Sequence, residues 1–571
     1  MASMQEVDAL VVGAGFGGLW MTNRLKEAGL NVLCVEKAPQ AGGVWYWNCY
    51  PGARVDSRYP VYQYSDESLC KDWNWSELFP GYEEIRKYLS YAVDKWQLNS
   101  HIRYNTTVTG ARFDESDHKW TVEGINGSHG TIRIRCRWYI LALGFASKPY
   151  IPDFEGLNRF QGPCFHSSAW PQEGIDLKGR RVAVVGTGAS AVQIIQTISK
   201  EVGHLTVYQR TPCTAMPMRQ QSLTPEYQDN FKASGEMAAT MRRTKYERFG
   251  GQDVQFVSRR WHEDTPEQRR AVFEQAWQKG GFHLLLSTYF EVFDDVEVNH
   301  AAWRFWAEKS RERIHNTKYK DILAPLEAVH AFGGKRTPFE QDYFEAFNRR
   351  NVDLIDMKAS PILSFAEKGI ITQNEGLQEF DVIILATGFD TNTGALTSIH
   401  IQDTDGILLK DRWSYDGVMT TFGMSTSKFP NMFFFYGPQA PTAFSNGPSC
   451  IELQGEFVEE LILDMIGKGV TRVDTTSEAE KRWKESTLSL WNQFVFSSTK
   501  GFYTGENIPG KKAEPLNWFG GFPRYRKALT ECRDGGYKEY SLRSLPKVPD
   551  PEHRGLIDKV AVVTSAQPVG A

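Results

Sequence analysis

Asp8-Ala-Leu-Val-Val12 runs directly into Gly13-Ala-Gly15-Phe16-Gly17-Gly18, and this stretch decides the fold. The apolar run has the length and composition of a buried strand. Leu19 to Ala28 then carries apolar residues at helical spacing, and Gly29 closes it. Asn31-Val-Leu-Cys-Val35 is the next strand, and Glu36 ends it. Strand, glycine loop, helix, strand and terminal acid together make a dinucleotide-binding βαβ unit. Gly13 is expected to make the tight turn and Gly15 to admit a pyrophosphate, while Gly18 or Gly17 allows close helix–strand packing. The helix N-terminus attracts phosphate charge. Glu36 can accept a hydrogen bond from a ribose 2′-hydroxyl and would repel a 2′-phosphate, which fits FAD or NAD and not NADP.

A second loop, Gly186-Thr187-Gly188-Ala189-Ser190-Ala191, also follows an apolar run and opens an apolar-periodic segment. Gln209 stands 23 positions after Gly186, as Glu36 stands 23 after Gly13. Here Gln209-Arg210-Thr211 replaces the acid with a cation and a hydroxyl, the change a 2′-phosphate requires, so this unit is expected to bind NADP. A solvated surface arginine is the plain alternative for Arg210. The two units also end alike, in Tyr139-Ile-Leu-Ala-Leu143-Gly144-Phe145 and Ile383-Ile-Leu-Ala-Thr387-Gly388-Phe389. The second is longer: 198 positions separate Gly186 from Ile384, against 127 from Gly13 to Ile140. The excess maps to residues 224–330, where Thr224-Pro-Glu226 and Thr265-Pro-Glu267 are helix starts and Ala301 to Ile314 is helical.

The expected fold class is therefore α/β, with two Rossmann-like domains, one for FAD and one for NADP, and a helical insertion in the NADP domain. The FAD domain is expected over 1–146 and 381–545, the NADP domain over 147–223 and 331–380, the insertion over 224–330 and a mobile tail over 546–571. Within the first domain the pattern predicts a helix near Tyr82–Trp96. Strands are predicted near Ile102–Phe113, Trp120–Glu123 and Thr131–Arg135.

Composition narrows the class. The 571 residues exceed a single core, and 41% hydrophobic with 13% aromatic content suits a packed globular protein. A net charge of −4 provides no basic field, so no nucleic-acid partner is expected. The eight cysteines form no CxxC pair, which points to reduced, intracellular thiols. The N-terminus lacks the apolar core of a signal peptide, and no run approaches the roughly 18 apolar residues of a membrane span. A cytoplasmic monomer or dimer with no metal site is expected.

Between the two loops lies Phe160-Gln-Gly162-Pro-Cys-Phe-His166-Ser-Ser-Ala-Trp170-Pro171, a polar-aromatic linker that on its residues alone admits being surface filler. Gly42-Gly43-Val44-Trp45-Tyr-Trp-Asn-Cys-Tyr50-Pro51-Gly52-Ala-Arg54-Val-Asp56 has the composition of an ordered loop packed on something flat. Asp56 taken alone is an ordinary turn or cap aspartate. Gly333-Gly334-Lys335-Arg336 suits an anion-facing loop and equally an ordinary surface turn. Two nucleotide units imply hydride transfer from NADPH to flavin. A disulfide reductase would place a CxxC or CxxxxC pair beside the flavin; Cys34 and Cys49 have neither spacing. Molecular oxygen is then the acceptor, and a monooxygenase the class.

The linker pattern Phe160-x-Gly162-xxx-His166-xxx-Trp170-Pro171, set between two Rossmann loops, resembles the fingerprint of type I Baeyer–Villiger monooxygenases. Gly43-x-Trp45-xxxx-Tyr50-Pro51-Gly52-xxx-Asp56 resembles the family's second signature, and Ala386-Thr-Gly-Phe-Asp390 and Asn507-Ile-Pro-Gly-Lys511 also match, so the likeness runs from about residue 8 to 540. Flavin-containing N- and S-oxygenating monooxygenases, the alternative, share the loops. Their linker usually ends in Tyr or Phe, and they lack the Asp56 signature. The resemblance implies that NADPH reduces FAD, that reduced flavin adds O2 as a C4a-peroxide, and that this attacks a small ketone to give an ester or lactone. It makes Arg336 the cation beside peroxide and carbonyl oxygen, a charge that needs no proton bookkeeping. Asp56 positions that arginine, and Lys335, Arg210 and Thr211 hold the 2′-phosphate. Further cofactor contacts are implied at Phe16, Lys37, Val44, Trp45, Tyr62, Val108, Gln193, Asn446 and Phe502, beside the glycine-loop residues. His166 belongs to the fingerprint and couples linker position to domain motion. Phe502 stands where most of the family has Trp. The indole N–H is lost, which implies looser loop closure and a more open pocket. The protein should purify yellow; a colourless chain that cannot be reconstituted with FAD, read by absorbance and cofactor release, would contradict the first-loop reading.

Overall fold

Met4–Val12 is the central strand of the first sheet, fully covered from Ala9 onward. It pairs in parallel with Val32–Val35 on one side and Gly130–Leu141 on the other. Ile102–Arg103 and Met432–Phe434 extend the parallel sheet at its two ends. The structure is a computed structural model that describes residues 4–127, 130–442 and 444–546; the tail expected over 546–571 lies, after its first residue, outside them.

Gly130–Leu141 is one continuous strand where the sequence pattern divides it in two. Arg133 and Arg135 interrupt the apolar run but alternate with buried Ile132, Ile134 and Cys136, and the strand runs on past the half-buried Arg137 into the fully buried Trp138–Leu141. Its first half pairs antiparallel with Lys119–Asn126, which pairs with Thr106–Asp114. Its second half pairs in parallel with Met432–Phe434.

The second sheet has five parallel strands in the order Val352–Asp356, His204–Gln209, Arg181–Val185, Val382–Leu385, Cys164–His166. One expectation changes. Val382–Leu385 lies inside this sheet, so a boundary at 380/381 cuts the second unit, which continues through Leu385. Cys164–His166, in the middle of the linker, is the sheet's edge strand, so the linker within the 147–223 segment carries regular structure of its own.

Residues 224–330 are helical, with helices Pro225–Ala233, Glu236–Tyr246, Pro266–Lys279, Val296–Arg311 and Thr317–Leu323. Thr265 and Gln268 cap each other reciprocally at 2.8 and 3.4 Å. Trp303 and Trp306, set among charges in the sequence, are fully buried, and their indoles donate at 2.8 Å to the carbonyls of Pro325 and Ala215. The insertion starts and ends at one place, because Met216–Pro217 pairs with Phe339–Glu340.

The repeat has a steric basis. Gly13 (φ 103) sits so close to the first unit's final strand that a Cβ would lie 2.5 Å from the Ala142 carbonyl oxygen. Gly186 (φ 112) meets Ala386 of the second unit in the same way. A Cβ on Gly18 would overlap the Gly13 carbonyl oxygen, whereas one on Gly17 would make ordinary contacts at 3.5 Å, so Gly18 is the helix-packing glycine. Gly18→Ala should therefore push the helix Phe16–Glu27 off the sheet at a cost of at least about 1–3 kcal/mol. Melting temperature and FAD per chain should both fall; a variant with full FAD and an unchanged melting point would refute this.

Candidate active site

The helix Phe16–Glu27 begins at Gly15 with no side-chain cap and no acid in its first turn. Its first N–H groups are left for an anion. Gly15 packs on Gly43, whose Cα would lie 3.3 Å from a Cβ at Gly15. Glu36 is buried. One carboxylate oxygen accepts from Ala14 N–H and the other from Ala38 N–H, both at 2.7 Å. Burial raises its pKa and those backbone bonds oppose the rise; each oxygen keeps acceptor capacity for a ribose hydroxyl. Phe16 packs against Tyr62 and Tyr64, with ring centroids 5.2 and 5.0 Å away. Trp45 donates to the Tyr62 hydroxyl at 3.1 Å, Lys37 caps Trp47 at 5.5 Å, and Val44 is exposed in the short helix Val44–Trp47. Asn446 is completely buried; its amide nitrogen donates to the Val61 carbonyl and to Ser449, while its Oδ1 has no partner among the described residues. An orphaned buried acceptor fits a ligand donor such as a flavin imide. The side chain of Val108 packs in the sheet's core, so only its backbone is left for a cofactor.

The second cradle is built alike and charged oppositely. The helix Ala189–Ile198 begins at Gly188, also without side-chain cap or acid, and a Cβ at Gly188 would meet nothing within 4 Å. Ser190 lies in its first turn. Thr187 donates to the Thr211 carbonyl at 3.0 Å, tying the loop to the strand end that carries Arg210. Arg210 is exposed and Lys335 half-buried; neither has a carboxylate partner among the described residues. Burial lowers the Lys335 pKa, and nearby Arg210 and Lys358 lower it further. Three uncompensated cations make an anion site, and Lys358 is the member the sequence did not single out. Gln193 differs from expectation. It accepts from the Tyr50 hydroxyl at 3.0 Å and donates to the Arg54 carbonyl at 3.0 Å, which makes it a strut between the two units.

Asp56 and Arg336 meet between the cradles. The Arg336 Nε and Nη2 donate to the two Asp56 oxygens at 2.7 and 2.9 Å, and Nη1 donates to the Ser445 carbonyl at 3.3 Å. Arg336 lies over the Phe282 ring, 5.3 Å from its centroid. Burial acts to lower the guanidinium pKa, but the charge and hydrogen bonds of Asp56 outweigh it and the net direction is up. The pair is bidentate, and the arginine keeps its charge. Two residues missing from the sequence reading, Tyr436 and Tyr503, stand near it: both interact electrostatically with Arg336 and Asp56, and the buried Tyr503 hydroxyl has no hydrogen-bond partner among the described residues. Tyr503 follows Phe502, so adjacency to that position was the available signal; Tyr436 carried none.

The fingerprint residues meet the Ala386–Asp390 segment. His166 Nδ1 accepts from Ser168 N–H at 3.1 Å, so Nε2–H donates to the Gly388 carbonyl at 2.9 Å. The ring is neutral, with a pKa lowered by burial against the pull of that carbonyl. Phe160 and Trp170 are buried, and a Cβ on Gly162 would lie 2.7 Å from the Phe160 ring and 2.8 Å from the Asp381 carbonyl oxygen. The run after Phe502 closes on the same segment: Asn507 donates to the Phe389 carbonyl at 2.9 Å and Lys511 to Asp390 at 2.6 Å, while Thr391 donates to the Phe502 carbonyl at 3.3 Å. Closure here uses backbone and charge, and no donor from the ring at 502.

Two nucleotide cradles of opposite charge around a half-buried carboxylate–arginine pair define a flavin monooxygenase that uses FAD and NADPH. Residues 7–222 match the flavin-binding monooxygenase-like family. The chain is 40% identical to cyclopentanone 1,2-monooxygenase of Comamonas sp. over 94% of this chain and 96% of that one. It is 38% identical to acetone monooxygenase (methyl acetate-forming) of Gordonia sp., over 95% and 100%. The crystal structure of cyclohexanone monooxygenase from Rhodococcus sp. Phi1 bound to NADP+ superposes with a TM-score of 0.90 at 33% identity, covering 95% of this chain and 100% of that one. The chain belongs to the type I Baeyer–Villiger monooxygenases.

The cation cluster predicts coenzyme choice. One hydrogen bond to a charged group is worth roughly 1.5–3 kcal/mol, so Arg210→Ala should raise the apparent NADPH constant about 10- to 100-fold and leave NADH use nearly unchanged. Equal losses with both coenzymes in steady-state assays would show that Arg210 does not meet the 2′-phosphate.

Proposed function

We propose that this enzyme inserts one oxygen atom of O2 beside the carbonyl of a small ketone to give an ester or lactone, with Arg336 as the charge-stabilising residue and Asp56 as its positioning residue. The bidentate Asp56–Arg336 pair carries this reading. FAD, once reduced by NADPH, supplies the activated oxygen. Arg336 contributes a fixed positive charge from a half-buried position, where it can stabilise a developing oxyanion on the ketone. Asp56 holds the guanidinium fork in one orientation, so no reorganisation is needed when charge appears. The Tyr503 hydroxyl beside the pair, without a hydrogen-bond partner among the described residues, supports a site whose polar partner is the ligand. Heteroatom oxygenation develops no comparable carbonyl oxyanion, so the same pair favours a ketone over an amine or sulfide. His166 is neutral and spans the fingerprint and the Ala386–Asp390 segment, which supports a coupling role and not proton transfer. The eight free thiols support a reducing, cytoplasmic setting.

Arg336→Ala should still bind FAD and be reduced by NADPH, while ester per NADPH falls by about 100- to 1000-fold, the loss typical of one preorganised oxyanion donor. Electrons should leave as hydrogen peroxide instead. Asp56→Ala should show a milder loss, because the arginine survives without its orienting partner. Stopped-flow flavin reduction beside product yield measures both; near wild-type coupling in Arg336→Ala would move the role to another cation.

A further inference from the structure

Two cavities flank the strand pair that closes the helical insertion. The outer one, about 450 Å³, is lined by Pro217, Met218, Arg219, Trp277, Arg313 and Glu340, among others. The inner one, about 30 Å³, is lined by Asp56, Phe79, Met218, Gly280, Phe282 and Phe339, among others. Met218 is the one residue that lines both.

The two volumes differ in what they can hold. A space of about 30 Å³ takes little more than a water, whereas the outer cavity falls within the roughly 300–1,000 Å³ of small-molecule sites. The inner cavity touches the reaction centre, since Asp56 lines it and Arg336 sits over its Phe282 wall. The inner cavity has its own rim at the exposed Arg58 and Lys279, and a ketone held in the outer cavity passes from there toward Asp56–Arg336 only if the partition moves.

The partition is thin. Gly280 (φ 69) and Gly281 (φ 57) contribute backbone alone, with Gly281 N–H donating to the Pro217 carbonyl at 2.8 Å. A Cβ on Gly280 would lie 2.5 Å from that same oxygen, so no larger residue fits there. Met218 supplies the side chain. Its backbone is fixed by its N–H on the Glu340 carbonyl at 2.8 Å, and its side chain is 1% exposed. An unbranched thioether with three rotatable bonds can turn aside without moving the backbone. The neighbouring charges do not block the outer side as a bare ion would, because Arg313 is paired with Glu340 and Glu345, each at 2.6 Å.

We propose that Met218 is a gate between the outer cavity and the Asp56–Arg336 centre, and that its side-chain volume sets the largest ketone the enzyme accepts. This rests on Arg336 marking the reaction centre for ketone oxygenation. The test compares kcat/KM for a five-membered and a twelve-membered cyclic ketone, on FAD-loaded enzyme at saturating NADPH. Met218→Ala should raise the large-to-small ratio by at least about tenfold and Met218→Phe should lower it by a similar factor, the scale of one or two methylenes in an apolar passage. If the alanine variant fails to retain FAD, Met218→Val is scored by the same criterion. A ratio within about twofold of wild type in the folded truncation, or movement of both variants in one direction, overturns the gate. The two readings separate cleanly: wild-type enzyme that makes ester while the ratios stay put sinks the gate alone, and wild-type enzyme that makes ester from neither ketone sinks the ketone reading and the gate with it.

Discussion

The Asp56–Arg336 pair joins residues 280 positions apart. One comes from the aromatic loop after the first unit's second strand, the other from the segment that re-enters the second unit after the helical insertion. Both charges are half-buried, and each is held in place by two hydrogen bonds to the other. Around it the same two units are stitched by smaller contacts. Tyr50 and Arg54 both hold Gln193, and a Cβ on Gly52 would lie 2.8 Å from the Gln193 carbonyl oxygen. The loop that carries Asp56 is thus pressed on the second unit's first helix, which fixes where the guanidinium points.

The two cradles share one design and differ in charge. Each begins with a glycine pressed on the alanine of its own final strand, and each leaves a helix N-terminus uncapped toward the ligand. At the end of the second strand the designs part. Glu36 is buried and held by two backbone N–H groups, which keeps a carboxylate where a diol can bind. Arg210, Lys335 and Lys358 lie near one another with no carboxylate paired to them among the described residues, which raises the cost of that corner until an anion arrives. Charge, and not fold, separates the two coenzymes.

The glycine loops, the equal 23-residue spacings and the repeated Ile-Leu-Ala strand made the two-unit α/β fold legible in the sequence. They are local patterns, and periodicity or a fixed offset reports them directly. The fingerprint and the Asp56 signature named the family for the same reason, since each fits within about a dozen residues. Features with compensating partners were less clear. Trp303 and Trp306 stand among charges, yet they are buried because a helix shows its faces only once a neighbour selects one. Arg133 and Arg135 hid the continuity of Gly130–Leu141, because an open sheet face accepts what a covered one rejects.

By itself, then, the sequence determined the class of fold, the order of the two nucleotide units, the charge at each coenzyme corner and the family. The tertiary structure decided which residues meet. It put Val382–Leu385 inside the second sheet, made an edge strand of the linker, turned Gln193 into a strut, brought Lys358, Tyr436 and Tyr503 to the site, and set Met218 between two cavities. Spacing along a chain describes helices, strands and the turns between them. Contacts across hundreds of positions depend on how those elements pack and which way each side chain then points, and no local pattern encodes that.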